Sequence, residues 1–230
     1  MKQTPSAIGR VLRAATGLLL PVVLILTNVR LLLTPAFVSL EYAMPGFPPD
    51  PYGFSPEERT RQALHALAFV VREVPPSALG DLRDEAGSVL YNERELQHMV
   101  DVQVLVLRAL AAWKASLVLF ALAAVGTWRQ AGSAAVIGGL RSGARLTVLG
   151  MTVLIAVLAL SFSALFVGFH NVFFESGTWL FYPSDTLIRL FPVRFWRDAF
   201  ALLLFLTLGE AGLLLGVVRV LRRRPGVDRS

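Results

Sequence analysis

Four long stretches of mostly apolar residues dominate this chain of 230 residues. They cover residues 14–39, 103–127, 146–168 and 198–218. Because a helix needs about 20 consecutive apolar residues to cross a bilayer, each stretch is long enough for one crossing. Only 17% of the residues are charged, against about 25% in a typical soluble domain. The sequence therefore predicts an all-α membrane protein with four transmembrane helices and a small, mostly helical extracytoplasmic cap, and it excludes a soluble single-domain enzyme.

The charged residues between these stretches predict the orientation of the chain. Lys and Arg dominate the N-terminal tail, the loop 128–145 and the C-terminal tail, whereas segment 40–101 holds eleven acidic residues against five arginines. Cytoplasmic segments carry an excess of Lys and Arg. We therefore expect both termini in the cytoplasm. Residues 1–230 then form a single membrane domain, with 40–101 and 169–197 as the extracytoplasmic cap segments.

The net charge of +6 follows from the same distribution. It indicates contact with the anionic lipids of the inner leaflet, and no nucleic acid partner is expected. The chain contains no cysteine, which excludes disulfides, thiolate metal sites and thiol nucleophiles.

Two local patterns predict helices in segment 40–101. Residues 55–58 (Ser-Pro-Glu-Glu) combine a serine cap, a proline at the first helical position and a glutamate three residues after the cap. The helix that begins there should end at about Arg72, before the prolines at 75–76. Asn92 followed by Glu95 repeats the cap pattern, and we expect this second helix to continue unbroken into the membrane.

His98 falls in the second turn of the helix that Asn92 caps. Asp101 lies three residues further on and Arg108 seven residues beyond that, so all three share one helix face. A carboxylate at Asp101 would accept the imidazole N–H and fix its tautomer. The alternative is a solvated polar entrance to the membrane helix, and spacing alone favours that alternative.

Segment 169–196 holds nine of the 23 aromatic residues. Aromatic rings are common at membrane interfaces, so this content alone requires no further function. His170 lies among them with Asn171 and Arg189 close by, and an imidazole can exchange a proton near neutral pH without a large pKa shift. His65 has no acidic residue at helical spacing, and we expect it to be a surface or packing residue.

Polar residues within the apolar stretches usually face the interior of a bundle. We expect Lys114 and Glu210 to be structural, with a pairing between them, and Asn28 and Arg30 to line a polar pocket. No metal site is predicted, because the histidines do not form an i,i+4 pair. Phosphate-binding loops and the GxSxG nucleophile pattern are absent from the sequence.

Three blocks of residues resemble a known family. They are Tyr52-Gly53-Phe54-Ser55 with Glu58-Arg59, then Asn92-Glu93-Arg94-Glu95 leading to His98-Met99-Val100-Asp101-Val102, then Phe169-His170 through Phe173-Phe174, Trp179, Leu187-Ile188 and Phe191-Pro192. Together with Asn28-Val29-Arg30, they keep the same order over nearly the whole chain. The sequence resembles the bacterial integral membrane protein family of the lipoprotein intramolecular transacylases.

The resemblance implies a multi-pass protein of the bacterial plasma membrane, with its active site between an extracellular cap and the membrane. The implied acyltransferase moves the sn-2 acyl chain of a diacylglyceryl lipoprotein to the α-amine of that lipoprotein's N-terminal cysteine. Histidine acid/base chemistry would give a lyso-form lipoprotein, without a cofactor. The partners would be the diacylated lipoprotein and membrane lipids, and the oligomeric state stays open.

By the same resemblance, the catalytic residues are His98 and His170, and either one is a candidate for the base. The candidates for supporting or substrate-binding roles are Asp101, Asn28, Arg30, Arg94, Arg108, Asn171, Phe173, Trp179 and Arg189. The alternative function is that of a non-enzymatic membrane accessory protein whose outer cap binds a partner.

Overall fold

The structure of the protein, a computed structural model, describes residues 6–84 and 87–223. Its helices are α1 (Ala7–Leu32), α2 (Pro35–Tyr42), α3 (Pro56–Val70), α4 (Ser77–Gly80), α5 (Glu93–Leu160), α6 (Phe162–Phe173), α7 (Thr186–Leu190) and α8 (Val193–Arg223). The described residues also contain an isolated antiparallel bridge between Arg83 and Val89. The prediction of an all-α chain is confirmed. Lys2, Arg224 and Arg229 of the predicted basic tails lie outside the described residues.

Three of these helices, α1, α5 and α8, are long and apolar enough to cross a membrane. The prediction that residues 14–39 form one span is wrong at its C-terminal end. α1 ends at Leu32, and Thr34 has extended backbone angles (φ −132°, ψ 148°) before α2 begins at Pro35. A proline disfavours the helical conformation of the residue before it, which is why the helix breaks here despite the apolar sequence.

The predicted span 146–168 is also interrupted. Ser161 has extended angles (φ −160°, ψ 98°), and its side chain accepts a hydrogen bond from the backbone N–H of Ala164 to cap α6. A serine hydroxyl competes with helical backbone bonding and favours helix starts, whereas mean hydropathy does not register it. The fourth predicted span, 198–218, lies entirely within α8.

α5 contains the second predicted span and the start of the third, and it reverses direction at Gly132. Gly132 has non-helical angles inside α5 (φ 75°, ψ 177°), a region that side chains with a Cβ rarely adopt. Gly9 of α1 lies beside Gln130 of α5, and Leu12 lies beside Gly126, so the first limb runs opposite to α1. Arg13 lies beside Gly138, and Gly17 lies beside Gly143, so the second limb runs in the same direction as α1. The two limbs of α5 on either side of Gly132 therefore run antiparallel.

The chain divides into two compact units, and the first comprises Met1–Val29, Ala111–Ala156 and Leu202–Ser230. Glycines allow α1 to approach the second limb of α5, because a Cβ on Gly143 would collide with the carbonyl oxygen of Gly17. Small residues bring helix backbones together in this way within membrane bundles.

A buried polar cluster lies within this first unit. The amide of Asn28 is fully buried and donates hydrogen bonds to the Thr207 hydroxyl at 3.0 Å and to the Glu210 carboxylate at 2.9 Å. The expected pairing of Lys114 with Glu210 is not found among the described residues. Glu210 accepts from Asn28 instead, and Lys114 lies on an exposed face of α5.

The second unit comprises Arg30–Leu110 and Val157–Ala201. Its core contains side chains from both predicted cap segments, including Ala66, Phe69, Leu79, Tyr91, Leu187, Leu190 and Phe195. The serine cap of α3 is confirmed, since the Ser55 hydroxyl accepts from the backbone N–H of Glu58 at 3.1 Å. Such a cap stabilises a helix by about 1 kcal/mol. α3 ends at Val70, slightly before the predicted end.

Candidate active site

His98 is held at the start of α5 by a complete capping box. The Asn92 side chain accepts from the backbone N–H of Glu95 at 3.0 Å, and the Glu95 carboxylate accepts from the backbone N–H of Asn92 at 3.0 Å. This reciprocal pair fixes the first turn, so the imidazole in the next turn has a defined direction. His98 is buried, with its ring centroid 4.9 Å from that of Phe174 and 5.3 Å from that of Phe181.

His170 lies in the last turn of α6. Its Nδ1 is 2.8 Å from the carbonyl oxygen of Phe166, one turn earlier. A carbonyl oxygen only accepts hydrogen bonds, so Nδ1 carries the proton and Nε2 keeps its lone pair. The ring packs between Phe166 and Trp179, with centroid distances of 4.1 and 4.7 Å.

The structure brings the two imidazoles together within the second unit. Their ring centroids are 6.3 Å apart, and the ring planes differ by 20°. The Nδ1 of His98 and the indole nitrogen of Trp179 are buried and have no hydrogen-bond partner among the described residues. Buried polar atoms in proteins are nearly always paired, so these two atoms are available to a water molecule or to a ligand.

Burial controls the charge of His170. It lowers the pKa of the His170 imidazole below its ordinary value of 6.5, although the hydrogen bond to the Phe166 carbonyl partly opposes the shift. The described residues contain no cluster of three or more His, Asp or Glu side chains that would hold a metal ion. Burial, together with the nearby His170 ring, also lowers the pKa of the His98 imidazole to about 4, so both rings are uncharged at neutral pH.

Hydrogen bonds fasten the segment that follows α6 to the start of α5. The other carboxylate oxygen of Glu95 accepts from the backbone N–H of Leu187 at 2.8 Å, and the Thr186 hydroxyl donates to the carbonyl oxygen of Leu90. Arg94 forms an ion pair of 2.9 Å with Asp185. The aromatic residues that surround the histidines are therefore carried by a fixed segment.

A second ion pair holds the far end of this segment. Arg189 donates to both carboxylate oxygens of Asp50, at 3.2 and 2.9 Å, and its guanidinium lies 3.7 Å from the ring centroid of Phe54. The Asp50 side chain is fully buried. Its burial favours a higher pKa, but the hydrogen bonds from Arg189 and from the Phe54 backbone outweigh it and lower the pKa below the ordinary value.

The expectation that Asp101 orients His98 is wrong. The carboxylate of Asp101 accepts from the side chain of Gln97 at 3.4 Å, and the Nδ1 of His98 has no partner. Residues three apart on a helix differ in direction by about 60°. The His98 ring turns toward the buried aromatic residues, whereas Asp101 stays at the helix surface.

The other candidates fall into three groups. Trp179 contacts His170, while Arg94 and Arg189 fasten the surrounding segment. Asn28 belongs to the buried cluster of the first unit, and Arg30 donates to the carbonyl oxygen of Leu33 at 3.2 Å. Exposed positions are occupied by Arg108, Asn171, Phe173 and His65.

Sequence reasoning missed Phe166, Phe181 and Asp50. Phe166 lies four residues before His170, and this helical spacing could have predicted their contact. Phe181 meets His98, and Asp50 meets Arg189 from 139 positions away along the chain. No local pattern indicates contacts of that kind.

Comparison with known proteins identifies the family. A family model described as lipoprotein intramolecular transacylase Lit matches residues 14–196, which is most of the chain. The chain belongs to this family. It is a membrane-embedded acyltransferase of the lipoprotein intramolecular transacylase type, and lipoproteins are the substrates of the family. The family predicted from the resemblance is confirmed.

Solved structures show the same fold. The in meso structure of the membrane integral transacylase Lit from Bacillus cereus has a TM-score of 0.78 and 17% identity, covering 94% of this chain and 96% of that chain. A structure of the same protein with a histidine replaced by alanine has a TM-score of 0.69 and 17% identity, covering 94% of each chain.

An uncharacterised protein from Aquifex aeolicus is 29% identical in sequence over 180 residues, covering 74% of this chain and 76% of that protein.

Proposed function

We propose that His98 and His170 carry out acid/base catalysis in the transfer of the sn-2 acyl chain of a diacylglyceryl lipoprotein to the α-amine of its N-terminal cysteine. The observation that carries this proposal is the imidazole pair, with ring centroids 6.3 Å apart in an aromatic pocket. At this separation both imidazole rings can border one ester group of the substrate. Each ring can then act on a different atom of the same substrate.

In the proposed reaction, the amine nitrogen attacks the ester carbonyl carbon, a C–N bond forms, and the C–O bond to glycerol breaks. His170 takes the proton that the nitrogen loses and returns it to the departing glyceryl oxygen. His98 donates a hydrogen bond to the carbonyl oxygen, where negative charge develops. The products are an amide and a free glyceryl hydroxyl, and protons and electrons balance without another reactant.

Support for His170 as the base comes from its tautomer. With Nδ1–H donating to the Phe166 carbonyl, Nε2 is the ring atom that can accept a proton. Burial lowers the pKa of His170, which keeps the ring uncharged and ready to accept that proton at neutral pH. The Nδ1 of His98 lacks a partner among the described residues, which suits a group that meets its partner in the substrate.

The aromatic surroundings support an acyl transfer rather than a hydrolysis. Phe174 and Phe181 pack against His98, and Phe166 and Trp179 pack against His170. Water would compete with the amine for the ester, and apolar walls exclude it. Because amine and ester belong to one lipoprotein molecule, holding them in attack geometry contributes several kcal/mol to the rate.

The proposed topology has four crossings, formed by α1, the two limbs of α5 and α8, with both termini in the cytoplasm of a bacterial plasma membrane. Segments 40–101 and 169–197 form the extracytoplasmic cap. Support comes from the reversal at Gly132 and from the excess of arginine in the loop 128–145. The aromatic pocket then meets the lipoprotein substrate at the outer surface.

The test compares His98→Ala and His170→Ala with the wild-type protein. Each variant is expressed in cells that lack this activity, and mass spectrometry locates the acyl chains on a diacylated lipoprotein. Loss of the proton carrier at His170, or of the hydrogen-bond donor at His98, should reduce transfer to the N-terminal amine by at least about 100-fold. His65→Ala is the matched control, because His65 is exposed and should leave transfer unchanged. Near-wild-type transfer by either test variant, at an equal level of folded protein, would falsify the assignment.

A further inference from the structure

Arg13, Arg141 and Arg145 converge on one cavity within the first compact unit. The cavity has a volume of about 260 Å³, and Ala134, Gly138 and Ser142 complete its lining. We propose that this cavity binds the phosphate group of an anionic phospholipid, with the acyl chains against the adjoining apolar faces of α1 and α5. None of these residues belongs to the histidine site, so the proposal is independent of the transacylation chemistry.

The close packing of two helices creates this cavity. Arg13 projects from α1, whereas the other two arginines project from the second limb of α5. A Cβ on Gly138 would lie 2.8 Å from the guanidinium carbon of Arg13. The guanidinium therefore occupies the space that a side chain at residue 138 would fill, and the absence of that side chain sets the position of Arg13.

The charge around the cavity favours the binding of an anion. The sequence contains no Asp or Glu in residues 1–40 or 102–174, the stretches that supply all three arginines. Among the described residues, neither Arg13 nor Arg145 forms an ion pair. Guanidinium groups held close together repel one another, and a phosphate relieves that repulsion because it accepts several charge-assisted hydrogen bonds.

The surroundings of the cavity favour a lipid over a soluble anion. Ile8 and Val11 on α1 are 62% and 68% exposed, and Leu146 and Leu149 on α5 are 47% and 65% exposed. Acyl chains cover such side chains, whereas inorganic phosphate gains nothing from them. In the proposed topology, the loop 128–145 faces the cytoplasmic leaflet, where anionic lipids are abundant.

The experiment uses the full chain in detergent after removal of co-purified lipid, with binding measured by native mass spectrometry. Dioleoyl phosphatidylglycerol is the probe, and dioleoyl phosphatidylcholine is the uncharged comparison. We expect the wild-type protein to retain phosphatidylglycerol preferentially. The double variant Arg13→Gln/Arg145→Gln should bind it at least about tenfold more weakly, since two charge-assisted contacts are lost. Arg129→Gln is the matched control, because Arg129 is an exposed arginine of the same loop that does not line the cavity.

Gly138→Ala tests the geometry without changing the charge. The new methyl group displaces the Arg13 guanidinium, so phosphatidylglycerol binding should weaken several-fold even though every arginine is present. A Gly138→Ala variant that binds like the wild type, or an Arg129→Gln variant as weak as the double variant, would show diffuse attraction and overturn the site. Release of the lipid by millimolar inorganic phosphate would overturn the lipid assignment in favour of a free phosphate.

Discussion

With His170 as the proposed base, its protonation state sets the expected pH dependence of the transfer. Burial lowers the pKa of His170 below 6.5, so the ring is uncharged at neutral pH and gains a proton only in more acidic solution. The substrate α-amine titrates at about 7.7–8.0 and must also be uncharged to attack. Below the amine pKa, we expect the rate to fall about tenfold per pH unit, because one group must lose a proton. Below the pKa of His170, we expect it to fall about 100-fold per pH unit, because two groups must do so.

The measurement is kcat/KM for transacylation against pH, with a soluble diacylated lipopeptide as substrate. The steeper limb should begin below pH 6.5. A steeper limb that begins above that value would contradict an uncharged, buried His170, because the ring would then be easier to protonate than free imidazole.

Asp50 is the residue whose removal should most destabilise the segment around the histidines. Its side chain is fully buried and pairs with Arg189, so Asp50→Asn leaves a largely buried guanidinium without its counter-charge. We expect a loss of about 3 kcal/mol in the free energy of unfolding. The pKa of Asp50 is lowered in the folded state, so this contribution is present above the ordinary carboxyl pKa and is lost as the pH falls through the folded value.

Thermal unfolding in detergent checks this prediction. Asp101→Asn is the control, because the described hydrogen bond of Asp101 is a 3.4 Å contact with Gln97 at the helix surface. It should change the stability by less than about 0.5 kcal/mol. If the two variants unfold at the same temperature, the Asp50–Arg189 pair does not hold the segment.

The sequence predicted the site only in part. His98 and His170 follow from their unusual setting and from the family resemblance, whereas the packing of Phe181 on His98 joins residues that are distant along the chain. The proposed role of Asp101 failed because spacing on a helix limits which residues can meet but does not decide which way a buried ring turns. Here the aromatic core determined the direction of the His98 ring.

At the scale of elements, Gly132 is the position on which the hairpin within α5 depends. Its φ of 75° and ψ of 177° lie in a region that is essentially restricted to glycine, and a Cβ there costs about 1–3 kcal/mol. Gly132→Ala should therefore lower the melting temperature. Gly150 is the matched control, because it lies inside the second limb of α5 and a methyl group added there would meet no atom within 4 Å. Gly150→Ala should leave the melting temperature unchanged or raise it, since alanine favours helix over glycine.

Equal melting temperatures for these two alanine variants would show that the chain turns without strain at residue 132. Circular dichroism at 222 nm, recorded on the same samples, separates a local loss of the hairpin from global unfolding. A variant with lower stability but unchanged helix content supports the turn as the affected element.

The starts of α3 and α5 were predictable from the sequence because a helix cap involves only residues that are close together along the chain. The caps at Ser55 and Asn92 need only a side chain and a backbone N–H three residues away. The ends of the apolar spans were not predictable from hydropathy, which averages over a window and does not register one extended residue. The proline after Thr34 could have indicated the break between α1 and α2. Ser161 could not have indicated the break before α6 in the same way, because many unbroken membrane helices contain a serine.

At the scale of the whole molecule, two independent observations support the proposed topology, in which the loop 128–145 joins two membrane crossings. One is the distribution of charge, and the other is the direction of the helices. The excess of arginine in the loop 128–145 predicts a cytoplasmic location for that loop. The contacts of α1 with both limbs of α5 require the chain to reverse at Gly132, within the same loop. Together they support the proposal of one crossing before this loop and one after it.

The topology predicts the outcome of reporter fusions at three positions. Fusions after residue 135 and after residue 230 should report a cytoplasmic location, because an even number of crossings separates each from a cytoplasmic N-terminus. A fusion after Gly177, beyond α6, should report an extracytoplasmic location, since three crossings precede it. Alkaline phosphatase, active only outside, and green fluorescent protein, fluorescent only inside, give opposite readings at each position. An outward reading at residue 135 would mean that the first limb of α5 does not cross, and the histidine pocket could not then face the outer surface.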